Sequence, residues 1–107
     1  MPATLTKTGI AARNDRMRAI LPFSHPADRV VMTCGIAALE EGARFEAITA
    51  VKDFATFTKD NDSDPHHEHD FGAFTLSTGD KCFWKIDDYQ GHEGIRCVLT
   101  LLLASEW

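Results

Sequence analysis

Between Asp60 and Gly72 the chain reads Asp-Asn-Asp-Ser-Asp-Pro-His-His-Glu-His-Asp-Phe-Gly, five carboxylates and three imidazoles in thirteen positions. Side chains of those types can hold a metal ion, imitate a run of phosphates, or sit in a solvated loop. The donor atoms of His66, His67, His69 and Asp70 suit zinc or a similar ion. Neighbouring residues of an extended segment point to opposite sides, however, so only two or three of them can converge. Asp60, Asp62 and Asp64 match the first, third and fifth positions of a calcium loop. Pro65 then stands where the sixth position needs glycine, and Phe71 where the twelfth needs a bidentate glutamate. These four His and Asp residues are therefore weak metal candidates, a solvated loop is the better expectation, and no cofactor is expected.

A second chemistry rests on His69 and Asp70 alone. An imidazole beside a carboxylate at a strand entry can serve as a general base held in one tautomer. The competing structural role has His69 bonding a loop carbonyl, Asp70 capping the turn, and Gly72 admitting a close backbone. The chain has no nucleophile elbow, no glycine-rich phosphate loop and no Cys-His spacing that would complete an enzyme, so no catalytic residue is assigned. Asp87, Asp88 and Glu93 extend the negative charge. Together with Asp60, Asp62, Asp64, Glu68 and Asp70 they could form one acidic surface that satisfies the lysines and arginines of a basic partner, as phosphates do. Trp84 or Phe83 could add an exposed aromatic anchor. Arg13, Arg16 and Arg18 are expected on a solvated helix face.

Charge distribution points the same way. The net charge is −5, yet residues 1–30 carry five basic and two acidic side chains while residues 31–107 carry six basic and fourteen acidic. The acidic part repels nucleic acid, whose affinity for proteins comes chiefly from neutralised phosphates, so direct nucleic-acid binding is not expected and a basic protein partner is. Three widely spaced cysteines, Cys34, Cys82 and Cys97, form no CxxC pair and suit free thiols in a reducing compartment. With no basic and apolar leader at Met1–Thr4 and no apolar run of membrane-spanning length, a cytoplasmic location is expected.

The elements that must position these groups fit in one domain of 107 residues, 44% of them apolar, with residues 1–7 as a frayed end. Ile10, Met17, Ile20 and Leu21 recur on one helical face from Thr8, the expected N-cap, to Leu21, where Pro22 stops the helix. Arg29–Thr33 is a β-branched strand ending at Gly35. Phe45, Ile48, Val51 and Phe54 mark a second amphipathic helix from Glu41 to Phe57. Asp70–Leu76 and Lys81–Tyr89 read as a hairpin about the turn Ser77–Asp80. Ile95–Glu106 fits both period 2 and a helix; a strand returning antiparallel beside Lys81–Tyr89 is favoured, because Gln90–Gly94 is a short connection. The expected fold is α+β and two-layer, with two helices on a small, mainly antiparallel sheet in the order α-β-α-β-β-β.

The segments Ile10–Arg16, Val30–Ile36, Glu68–Phe74, Trp84–Asp87 and Val98–Trp107, taken in order, resemble DUF3768, a family of small bacterial proteins of unknown function. His66 and His67 depart from the family pattern, which has one histidine before Glu68-His69-Asp70-Phe71-Gly72, and the loop after Asp87 is shorter than in many members. The resemblance brings no catalytic residues. It implies a setting on plasmids and other mobile elements, near genes of anti-restriction and maintenance type. The expectation is a non-enzymatic protein that inhibits a host defence complex, anti-CRISPR or anti-restriction, through its acidic surface. The alternatives are a small metal-dependent or His/Asp enzyme centred on His69 and Asp70, and a homodimeric plasmid-maintenance scaffold.

Overall fold

The computed structural model describes residues 7–54, 69–92 and 94–107. In chain order they form α1 (Lys7–Ala19), β1 (Asp28–Met32), α2 (Cys34–Ala37), α3 (Glu41–Lys52), β2 (Phe71–Thr75), β3 (Lys81–His92), β4 (Ile95–Leu103) and a closing 3-10 turn at Ala104–Glu106. The sheet order is β1-β4-β3-β2. The β2–β3 and β3–β4 pairs are antiparallel and the edge pair β1–β4 is parallel. This is the expected α+β class, with a mostly antiparallel sheet. None of the described helices is long and apolar enough to cross a membrane.

Period 2 decides which strand residues meet the helices. Cys82, Trp84 and Ile86 of β3 and Cys97, Leu99 and Leu101 of β4 are buried, and they pack with Met17 and Leu21, with Ile36 of α2, and with Ala47 and Val51 of α3. β4 is a strand rather than a helix because both of its edges are used, by β1 on one side and β3 on the other. The hairpin turns as expected, with Gly79 at φ 93° and Leu76 N–H donating to the Asp80 carbonyl at 2.8 Å. Glu46 of α3 fastens it by accepting from the amide and hydroxyl of Ser77 at 2.8 and 2.7 Å.

Several boundaries differ from expectation. Thr8 lies inside α1 rather than capping it, and the helix ends at Ala19, before the cis Leu21–Pro22 bond. Its inner face is Ala11, Asn14, Met17 and Arg18, continued by Leu21, whereas Ile20 is half exposed. Apolar spacing missed this because Asn14 and Arg18 occupy buried positions on the stripe. α2 was not expected. It is held from outside by Glu106, whose carboxylate accepts from the Thr33 hydroxyl and, at 2.9 Å, from the Gly35 amide. The second helix ends at Lys52, and Phe45 at its start is 71% exposed instead of facing the core. β3 continues through Gln90 to His92 with an irregularity after Asp88, where a loop from Gln90 was expected, and β4 begins at Ile95.

Trp84 is a correction of a different kind. It carries no exposed surface and cannot be a partner anchor. It lies on the helix-facing side of β3, opposite Gly72 of β2, and the Phe54 ring meets it edge-on at 5.5 Å. A Cβ at position 72 would overlap the Trp84 indole nitrogen and the Phe54 ring. The close approach that requires this glycine is thus made by an indole, not by backbone.

Candidate functional site

Arg18, expected on a solvated face, is 4% exposed. Its Nη1 donates to the carbonyls of Val51 and Phe54 at 2.9 and 2.8 Å, satisfying the C-terminal end of α3 where helix carbonyls lack partners. The guanidinium carbon stands 4.9 Å above the Trp84 ring, a cation–π contact. Nη2 donates to Asp15 Oδ1 at 2.6 Å, one helical turn back on α1. One arginine therefore ties α1, α3 and the sheet together.

Asp15 in turn receives His69. The imidazole Nδ1 lies 2.9 and 3.1 Å from the two carboxylate oxygens of Asp15. Partial burial works to raise the Asp15 pKa, but the hydrogen bonds and charges of His69 and Arg18 outweigh it and hold the carboxyl below the ordinary aspartate value. An ionised carboxylate only accepts, so Nδ1 is the donor and the neutral ring keeps its lone pair on Nε2. His69 takes φ 53°, the left-handed region, which a residue with a side chain enters at a cost of about 1–2 kcal/mol. That turn of the backbone directs the ring to Asp15. The expected pairing of His69 with its neighbour Asp70 is thereby replaced by a pairing with Asp15, fifty-four residues earlier.

Asp70 belongs to an adjoining cleft of about 270 Å³, lined by Ile10, Arg13, Asn14, Asp70, Ile86, Asp87 and Asp88. The Asp70 carbonyl accepts from Ile86 N–H at 2.9 Å, which docks the start of β2 on β3. Asn14, 1% exposed, accepts at Oδ1 from Nε and Nη2 of Arg13 at 3.3 and 3.2 Å. Arg13 Nη1 stands 3.6 Å from Asp88, and Lys85 pairs with Asp87 at 3.3 Å. The side chains of Asp87 and Asp88 remain 43% and 47% exposed. Asp70, Asp87 and Asp88 thus border one cleft, with the Asp88 side chain toward α1 and the Asp87 side chain beside Lys85 on the opposite side of β3. Asp60, Asp62, Asp64, His66, His67, Glu68 and Glu93 lie outside the described residues.

Among the described residues no three His, Cys, Asp or Glu side chains are grouped to hold a metal ion. All three cysteines are free, as expected. Burial, with nearby Asp80 and Glu46, pushes the Cys82 thiol up to about 11, and burial also raises Cys97. Neither is an activated nucleophile.

Sequence reasoning missed Asp15, Asn14 and Arg18 as members of this site. One signal was present: positions 11, 14, 18 and 21 repeat at helical spacing, which places a polar pair on the buried stripe. The family model of DUF3768, described as "Protein of unknown function (DUF3768)", matches residues 32–97. The chain belongs to the DUF3768 family. The DUF3768 match holds His69, Asp70, Trp84, Asp87 and Asp88, whereas Asp15 and Arg18 of α1 lie before it. No curated protein and no solved structure matches the chain.

Proposed function

We propose that this chain is a non-enzymatic binding protein of a mobile element, which inhibits a host CRISPR effector or restriction complex by presenting acidic side chains to a basic groove. The observation that carries the reading is that Asp70, Asp87 and Asp88 all border one cleft at one end of the sheet, Asp88 on the α1 side of β3 and Asp87 beside Lys85 on the other. Among the described lining residues three carboxylates stand against Arg13, and Lys85 pairs with Asp87 at the edge, which leaves one carboxylate in excess. The acidic run Asp60–Glu68 leads into Asp70 along the chain, and Glu93 follows β3. Spaced carboxylates can satisfy the lysines and arginines that otherwise hold phosphates. The mobile-element setting implied by the family resemblance supplies the class of partner.

The test is capture of host defence complexes on the immobilised protein at low and high salt, with an Asp87→Lys, Asp88→Lys double variant beside it. Binding that weakens with salt and is lost in the variant supports the reading. Absence of binding to any nucleic-acid-processing complex at low salt removes it.

The His69–Asp15 pair favours a second reading, acid–base chemistry at His69. It resembles the orienting half of a catalytic triad, in which a carboxylate fixes the tautomer that leaves Nε2 basic. Under this reading Asp15, not Asp70, is the orienting residue. Metal analysis of the untagged protein and the His69→Ala and Asp15→Asn variants decide it: no metal and unchanged behaviour in both variants end this line.

A further inference from the structure

A second cleft, of about 260 Å³, lies on the other side of Arg13. Arg13 and Arg16 of α1, Arg96 at the start of β4 and His25 of the loop before β1 bring four nitrogen-bearing side chains to its wall, and the half-exposed Ile20 adds apolar surface over the buried Met17. We propose that this cleft binds a small organic phosphomonoester, with the phosphate held by the arginines and the organic part against Ile20.

Three features fix its donors in advance. Arg96 is clamped by Asp28, Nε to Oδ1 at 3.0 Å and Nη2 to Oδ2 at 2.8 Å, and Asp28 is 2% exposed. This two-point pairing sets the plane of the guanidinium, and its Nη1 donors lie outside the pair. Arg13 is held from behind by the buried Asn14. The Ala27 amide donates to His25 Nδ1 at 3.0 Å, which places the proton of the neutral imidazole on Nε2 and makes that atom a donor. Arg16 is exposed and has no ion pair to a described residue. Asp28 and Asp88 offset two of the three guanidiniums, and Arg16 supplies the excess positive charge in a chain whose net charge is −5. Guanidinium groups held in place recognise phosphate oxygens by parallel N–H bonds at a reduced cost in side-chain ordering. The cleft suits one phosphate with a small substituent; three arginines are too few to follow a nucleic-acid backbone.

The experiment is a titration of the ¹⁵N-labelled full chain by NMR at low ionic strength, with inorganic phosphate and with phenyl phosphate as probes. Saturating shifts are expected at Arg13, Arg16, Ala27 and Arg96, with phenyl phosphate tighter than phosphate because its ring covers apolar surface. Arg16→Gln should weaken binding about tenfold, the loss of roughly one charge-assisted hydrogen bond. Lys52→Gln, the same charge change on exposed α3 surface, should alter it less than about twofold. Shifts that never saturate, that sodium chloride reproduces at equal ionic strength, or that survive Arg16→Gln unchanged would overturn the site. Equal affinity for the two probes would overturn the organic monoester as its ligand.

Discussion

Replacing Arg18 by methionine keeps an unbranched chain of similar reach in the core and removes every polar contact of the guanidinium. Two bonds to the carbonyls of Val51 and Phe54 are lost, together with the Asp15 pair and the stacking on Trp84. Hydrogen bonds involving a charged group contribute about 1.5–3 kcal/mol each, and a desolvated cation–π contact up to about 2. Against these stand the recovered desolvation of the arginine and the gain from burying a thioether, which in other buried pairs has offset much of the loss. The Val51 carbonyl also keeps an acceptor role toward Phe54 N–H at 3.3 Å. The Asp15 side chain is 44% exposed and retains His69, so it is not left as a buried unpaired charge. The net expectation is a loss of about 3 kcal/mol, a melting temperature lower by roughly 12–20 °C for a chain of this size. Urea unfolding followed by tryptophan fluorescence measures it, with Arg18→Lys expected to recover only part of the loss because an ammonium cannot span both carbonyls and Asp15. A change below about 1 kcal/mol in Arg18→Met, with an unchanged urea slope, would refute the reasoning that the polar contacts of Arg18 are what ties α1, α3 and the sheet.

The remaining expectations concern acid, glycine and thiol. Asp15 and Glu106 have lowered pKa values, the latter from the Thr33 hydroxyl and the amides of Leu103 and Gly35. Their stabilisation is therefore fully present above the unfolded carboxyl range near pH 4 and is lost as pH falls through the folded values. Asp15→Asn should flatten the acid limb of stability between about pH 5 and 2; a slope identical to that of the parent chain would count against the His69–Asp15–Arg18 cluster. Gly72→Ala should cost about 2–3 kcal/mol in chemical denaturation through overlap with Trp84 and Phe54, whereas Gly42→Ala, with open space around its Cα in α3, should stabilise by about 0.5–1 kcal/mol. A thiol reagent at neutral pH should titrate one cysteine rapidly, the exposed Cys34, and all three only after unfolding; fast reaction of Cys82 or Cys97 would show that the sheet–helix interface opens.

The hairpin, the strand character of Lys81–Tyr89 and the amphipathic helix after Glu41 were legible in the chain because period and turn chemistry are local properties. So was the acidic character of the segment leading into β2, since Asp60, Asp62, Asp64, Glu68 and Asp70 are read directly from the chain. The single-residue neighbours His69 and Asp70 suggested a pair for the same reason, and there local reading failed. A left-handed backbone at His69 sends the ring to α1, and no spacing rule reveals a partner fifty-four residues away.

By itself, then, the sequence determined the α+β class, the β2–β3 hairpin and the excess of carboxylates after residue 30, and it favoured without deciding a third strand at Ile95. Tertiary structure alone decided that β1 pairs parallel with β4, that Trp84 is core and Arg18 is buried, and that His69 answers to Asp15. The division has a physical cause. Periodicity records which side of an element meets apolar surroundings, so it locates Leu99 and Val51. It cannot register that a polar side chain such as Arg18 or Asn14 is admitted to the same stripe. That depends on helix-end carbonyls, an indole face and a carboxylate that only the folded chain brings within bonding distance.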